Sequence, residues 1–168
     1  MTVVLIGPPA AGKSRVGKSL ARRLNVPFID TDRVIVGEHG PIARIFADHG
    51  EAYFRGLERQ AVAAALATDA VVSVGGGAVL DPETQRDLSA ASVVLLTVSA
   101  EAAAARIDGG SRPLVTGMDS WRRLVEERSP LYARLADYTI DSSTRTPADL
   151  ADELARWVKD AHGARERA

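Results

Sequence analysis

The sequence contains no cysteine, which excludes disulfides, thiolate metal sites and a cysteine nucleophile. It has no apolar run long enough to cross a bilayer. An apolar strand pattern already begins at Val3, so no signal peptide is expected. No membrane partner and a reducing, cytoplasmic setting are the expectation. An excess of either charge is also missing. The 21 basic and 22 acidic residues leave a net charge of −1, which argues against a broad nucleic-acid footprint. Lysine occurs only at positions 13, 18 and 159, and arginine supplies the rest of the positive charge. With so general an arginine bias, an arginine is informative only where its context is unusual. Linkers, repeats and low-complexity segments are absent, so 168 residues read as one domain with a three-layer α/β core.

What is present begins at residue 7. Gly7-Pro8-Pro9-Ala10-Ala11-Gly12-Lys13-Ser14 follows the apolar run Val3–Ile6 and precedes a helical stretch ending at Leu24. A strand, a glycine-rich loop ending in Gly-Lys-Ser and a helix make up a phosphate-binding loop. Its backbone N–H groups and the positive end of the helix dipole grip phosphate oxygens. Lys13 would reach the β- and γ-phosphates, and Ser14 would ligate Mg²⁺. The nucleotide contacts expected in this segment are Gly7, Ala10, Ala11, Gly12, Lys13, Ser14 and Arg15.

Further along, strands and helices alternate. Strands are expected at 26–29, 71–74, 93–98 (a central one) and 138–140. Helices are expected at 32–39, 41–49, 51–67, from Pro82 with Asp81 as N-cap, after Ser99, from Asp119 or Ser120 toward Ala136, and from Pro147. The 51–67 helix should bury Phe54, Leu57, Ala61, Ala64 and Ala65. The last helix should turn Leu150, Leu154, Trp157 and Val158 inward and fray from Gly163. This alternation argues for a parallel sheet covered on both faces, with ligands beyond the carboxyl ends of its strands.

Polar clusters stand at those ends. Asp30-Thr31-Asp32 offers one carboxylate to the Mg²⁺ shell near Ser14 and another to an acceptor hydroxyl; either aspartate also suits a helix N-cap. Gly75-Gly76-Gly77 suits a close backbone approach to a ligand, or simply a flexible turn. Arg55 and Glu58 share a helix face. They form either a surface ion pair or an arginine held ready for an anionic substrate. Arg112, after Gly109-Gly110, suits a lid that closes over ATP or an ordinary connection. Arg128 precedes Pro130, whose kink would aim it into the cleft of Arg55. Trp121, Trp157 and the histidines carry no functional pattern.

In this order, the clusters resemble shikimate kinase over essentially the whole chain. The matching pieces are Gly7–Ser14, Asp30-Thr31-Asp32, Gly50-Glu51 with Phe54-Arg55 and Glu58, Gly75-Gly76-Gly77, Arg112-Pro113-Leu114 and Arg128-Ser129-Pro130-Leu131-Tyr132. The resemblance implies a nucleoside-monophosphate-kinase-like fold, with a five-stranded parallel sheet of order 2-3-1-4-5. It implies substrate-binding helices over about 32–60, a mobile lid at about 109–118, and a monomer. The implied reaction moves the ATP γ-phosphoryl group to the 3-hydroxyl of shikimate. Lys13, Asp32 and Arg112 would be catalytic, and Ser14 with Asp30 would serve Mg²⁺. Asp32, Arg55, Arg128 and Gly75–Gly77 would hold shikimate, and Arg106, Arg145 and Pro147 would meet adenine. Many relatives have glycine where Ala10 stands and threonine where Arg15 stands. Alanine would tolerate a positive φ at position 10 poorly. A gluconate-kinase-like enzyme and a catalytically silent nucleotide-binding protein are the alternatives. The Asp30-Thr31-Asp32 and triple-glycine combination disfavours the first, and retention of Lys13, Asp32, Arg55, Arg112 and Arg128 the second.

Overall fold

The computed structural model describes residues 1–107 and 117–165. Five parallel strands form one sheet in the order β2-β3-β1-β4-β5. They are β1 (Val3–Ile6), β2 (Phe28–Asp30), β3 (Val71–Ser73), β4 (Ser92–Thr97) and β5 (Tyr138–Asp141). The helices are α1 (Lys13–Leu24), α2 (Thr31–His39), α3 (Ile42–His49), α4 (Glu51–Leu66), α5 (Pro82–Leu88), α6 (Ala100–Ile107), α7 (Met118–Leu135) and α8 (Pro147–Arg165).

Period-two alternation assigns each strand residue to a face. Val3 and Leu5 of β1 and Val94 and Leu96 of β4 join a cluster with Val16 and Leu20 of α1 and Leu150, Leu154 and Val158 of α8. Val4, Ile6, Val93 and Leu95 point the other way, onto Val62 of α4, Leu88 of α5 and Tyr132 of α7. Every residue of β1 is buried, because neighbouring strands flank it and helices cover both its faces. β1 is thus the middle strand, and β4, flanked by β1 and β5, is central in the sheet as expected.

Several boundaries differ from the sequence expectation for local reasons. Asn25 adopts a left-handed φ of 55° and closes α1, its N–H bonded to the carbonyls of Ala21 and Arg22. That turn, followed by Pro27, delays β2 to Phe28. In α4 the buried face is Phe54, Glu58, Val62 and Ala65, whereas Ala64 is exposed. α7 is capped by Gly117 at φ 100°, not by Asp119 or Ser120, and it runs on through Pro130. Gly117 and Met118, assigned to the lid from sequence, therefore start this helix. The rest of the expected lid, with Arg112, lies outside the described residues. α8 continues past Gly163 to Arg165. Trp157 is only partly buried and packs on the Tyr138 ring at 5.0 Å. Asp81 and Pro82 do open α5 as expected, with Asp81 accepting from the N–H groups of Glu83 and Thr84.

Candidate active site

The phosphate loop links the end of β1 to the start of α1. Gly7 is required by crowding. At φ 141°, a Cβ there would lie 3.3 Å from the Leu96 carbonyl carbon and still closer to its oxygen. Gly12, at φ 85°, turns the chain into the helix. Ala10 has φ 69°, so the positive angle questioned from sequence is real. That conformation costs an L-residue about 1–2 kcal/mol. Lys13 curls back over the loop, its Nζ donating to the carbonyls of Gly7 at 2.8 Å and Pro8 at 3.0 Å. Arg15 is exposed at the rim of the cleft.

The loop is also tied from outside. The Trp121 indole donates to the Pro9 carbonyl at 2.8 Å. Arg106 donates to Ala10 at 2.8 Å and, through Nη2, to the Ser142 carbonyl at 2.6 Å. Ser142 Oγ donates to Ala11 at 2.7 Å. Sequence reasoning missed Trp121 and Ser142. Neither belongs to a recognisable motif, and the loop carbonyls they bond lie more than a hundred residues away.

Asp30 caps a helix and also reaches Ser14. Its Oδ1 accepts from the Arg33 N–H at 3.3 Å and caps α2, while its Oδ2 accepts from Ser14 Oγ at 2.5 Å. A hydroxyl and a carboxylate side by side are hard oxygen donors suited to Mg²⁺. No group of three or more His, Cys, Asp or Glu able to hold a metal occurs among the described residues.

Across from the loop, Arg55 donates from Nη1 to Glu58 at 2.7 Å and from Nη2 to Glu51 at 3.3 Å. The Glu58 side chain is only 4% exposed, so this is not a solvated surface pair. Burial pushes the Glu58 carboxyl above its ordinary pKa, and the nearby Asp32 charge adds to this against the opposing pull of Arg55 and Arg128. Burial works against the Arg55 charge, yet Glu58 and Glu51 outweigh it and hold its pKa raised.

The triple glycine has a reason that its sequence did not disclose. A Cβ on Gly75 would fall 2.6 Å from Glu58 Oε1 and 2.9 Å from Asp32 Oδ1. One on Gly77 would fall 2.7 Å from Arg55 Nη2 and 2.8 Å from Cζ. These two glycines make room for the site's own charged side chains, and none of the three has a positive φ. The Gly76 carbonyl accepts from the Tyr132 hydroxyl at 2.6 Å. Burial raises the Tyr132 pKa, so it stays a neutral donor.

A cleft of about 1070 Å³ connects these groups. Ala10–Arg15, Asp30, Asp32, Arg55, Gly75–Gly77, Arg106, Arg128, Arg145 and Pro147 all line it. Gly7 lies behind it, against β4. Arg145 is ion-paired to Glu153 at 2.7 Å, and Pro147 opens α8 beside it.

The phosphate loop shares this cleft with the buried Glu58, the partly buried Asp32 and two arginines. The shikimate kinase profile matches residues 9–159. The chain belongs to the shikimate kinase family. It is 45% identical to the shikimate kinase of Salinispora arenicola over 157 residues, which cover 90% of this chain and 94% of that one. It is 46% identical to that of Mycobacterium avium over 150 residues, covering 86% and 85%. Among solved structures, the shikimate kinase of Acinetobacter baumannii in complex with shikimate superposes with a TM-score of 0.89 at 31% identity, covering 95% of this chain and 93% of that one. A gluconokinase from Sinorhizobium meliloti, at 18% identity and TM-score 0.63 with 97% and 96% covered, shares the fold.

Proposed function

We propose that this chain transfers the γ-phosphoryl group of ATP to the 3-hydroxyl of shikimate, giving shikimate 3-phosphate and ADP. The observation that carries this reading is the arrangement of charge across one cleft. A phosphate loop with Lys13 stands on one side, and Asp32, Glu58, Arg55 and Arg128 on the other. A planar guanidinium matches a carboxylate with two parallel hydrogen bonds. Arg55, fixed by Glu58, and Arg128 would therefore bind the acid group of shikimate. Asp32, beside Gly75, would hold the ring hydroxyls and accept the proton of the attacking one. As the acceptor oxygen bonds to the γ-phosphorus, the bond from that phosphorus to the β-bridging oxygen breaks. ADP leaves with its electrons.

Loop amides and Lys13 would stabilise the phosphate charge. Ser14 and Asp30 would hold Mg²⁺, which when bound neutralises phosphate charge. Arg106, Arg145 and Pro147 would flank adenine, and Arg112 would add positive charge at the transferring group. The reading takes residues 1–168 as one kinase domain, acting as a cytoplasmic monomer on a small molecule.

A coupled ADP-release assay tests this. Turnover is expected with shikimate and not with gluconate. Turnover with gluconate alone, or tight ATP binding without turnover on either, would overturn it.

A further inference from the structure

Ala10 holds a backbone angle that favours glycine, inside the loop that must present amides to phosphate. The carbonyls of Pro9, Ala10 and Ala11 each accept a hydrogen bond from a side chain outside the loop: Trp121 at 2.8 Å, Arg106 at 2.8 Å and Ser142 at 2.7 Å. In a trans peptide the C=O and the next N–H point in opposite directions. Anchoring these carbonyls on the protein side therefore turns the N–H groups of Ala10, Ala11 and Gly12 away from the anchors. Of these, the Ala11 N–H makes a long internal bond to Pro8, at 3.3 Å.

Trp121 differs from the other two anchors. It is 3% exposed, and its single donor goes to Pro9. Its ring packs in one cluster with Ala10 and Ala103. It thus touches the strained turn twice, through the carbonyl before Ala10 and through a cluster shared with the Ala10 methyl that glycine would lack.

We infer that Trp121 is a positioning residue for nucleotide binding, its indole N–H and ring holding the Pro9–Ala10 peptide so that the loop amides face the phosphates. This rests on the ATP reading of the loop. It predicts that removing one N–H, more than 100 residues away in sequence, weakens nucleotide binding selectively.

The test is calorimetric titration of Mg·ADP, which needs no acceptor, into the wild type and Trp121→Phe. Steady-state KM and kcat for both substrates accompany it. Trp121→Phe keeps an aromatic ring and removes the donor. ADP affinity and KM for ATP are expected to worsen about 3- to 10-fold, a range matching loss of one hydrogen bond. KM for shikimate should stay within about twofold, a split that a general lesion would not produce. Should Trp121→Phe fail to fold, β-(3-benzothienyl)alanine at position 121 in a Trp157→Phe parent keeps the ring shape without the N–H. The same losses are expected against that parent.

ADP affinity within twofold of the parent would overturn the inference. So would equal weakening toward ADP and shikimate. A wild-type chain that binds no ADP would instead overturn the nucleotide reading beneath it.

Discussion

Glu58 shows how one side chain changes meaning between sequence and structure. Three residues after Arg55 it reads as half of a helix-surface pair, worth little. In the fold it is buried beneath the cleft, beside Asp32 and against Gly75. Arg55→Ala would strand that carboxylate as well as remove a substrate contact. We expect shikimate binding to weaken by about 2–5 kcal/mol, the range for truncating one partner of a buried charge pair. Gly77→Ala should act in the same direction but less, because its Cβ meets the guanidinium and displaces it. Isothermal titration with shikimate measures both, and unchanged affinity in Arg55→Ala would return the pair to the surface reading. The residues of the cleft were largely legible, because phosphate and carboxylate chemistry demands particular side chains at short spacings. Trp121, Ser142 and Tyr132 were not. Their partners are backbone carbonyls, which no sequence pattern advertises, and only the fold brings them within reach.

The elements were legible wherever a local signal exists. Asp81-Pro82 fixed the start of α5, and Gly40 and Gly50 closed α2 and α3 as expected. The end of α1 at Leu24 was also read correctly, whereas the start of α7 was placed on Asp119 or Ser120 because a positive-φ Gly117 cap carries no side-chain signal. The buried face of α4 was read in part: Phe54 and Ala65 are buried and Leu57 and Ala61 pack inward, but hydrophobic periodicity cannot announce a buried Glu58. α1 and α8 pack against each other on one face of the sheet. They join through Leu20, Leu150, Leu154 and Val158 and through an exterior Arg23–Asp152 ion pair. Leu154 is fully buried there, away from the cleft. Leu154→Ala should lower stability by about 2–5 kcal/mol, read as a shift in urea midpoint, while KM for both substrates stays unchanged below the transition.

At the scale of the whole molecule, the buried carboxyl makes stability depend on pH. Glu58 has a higher pKa folded than unfolded. As pH rises from the ordinary carboxylate range, the unfolded chain releases this proton first, and the native state binds more protons. Its contribution to stability therefore falls with increasing pH, from the model-peptide value upward through the folded one. Urea denaturation across that window should show a downward slope that Glu58→Gln flattens. An identical slope in the two proteins would remove Glu58 as its source. The layered parallel sheet was legible from alternation of elements, and its strand order from family resemblance. Alternation by itself does not say which strand lies in the middle.

That middle position has a consequence for how the chain is made. β1 precedes both of its neighbours in the chain, and it carries the phosphate loop at its end. Its partners on either side are Val71–Ser73 and Ser92–Leu95. The strand that carries the binding loop is therefore not flanked on both sides until residue 95, past the midpoint of the chain, has been synthesised. The loop is thus translated well before the sheet that supports it can be completed.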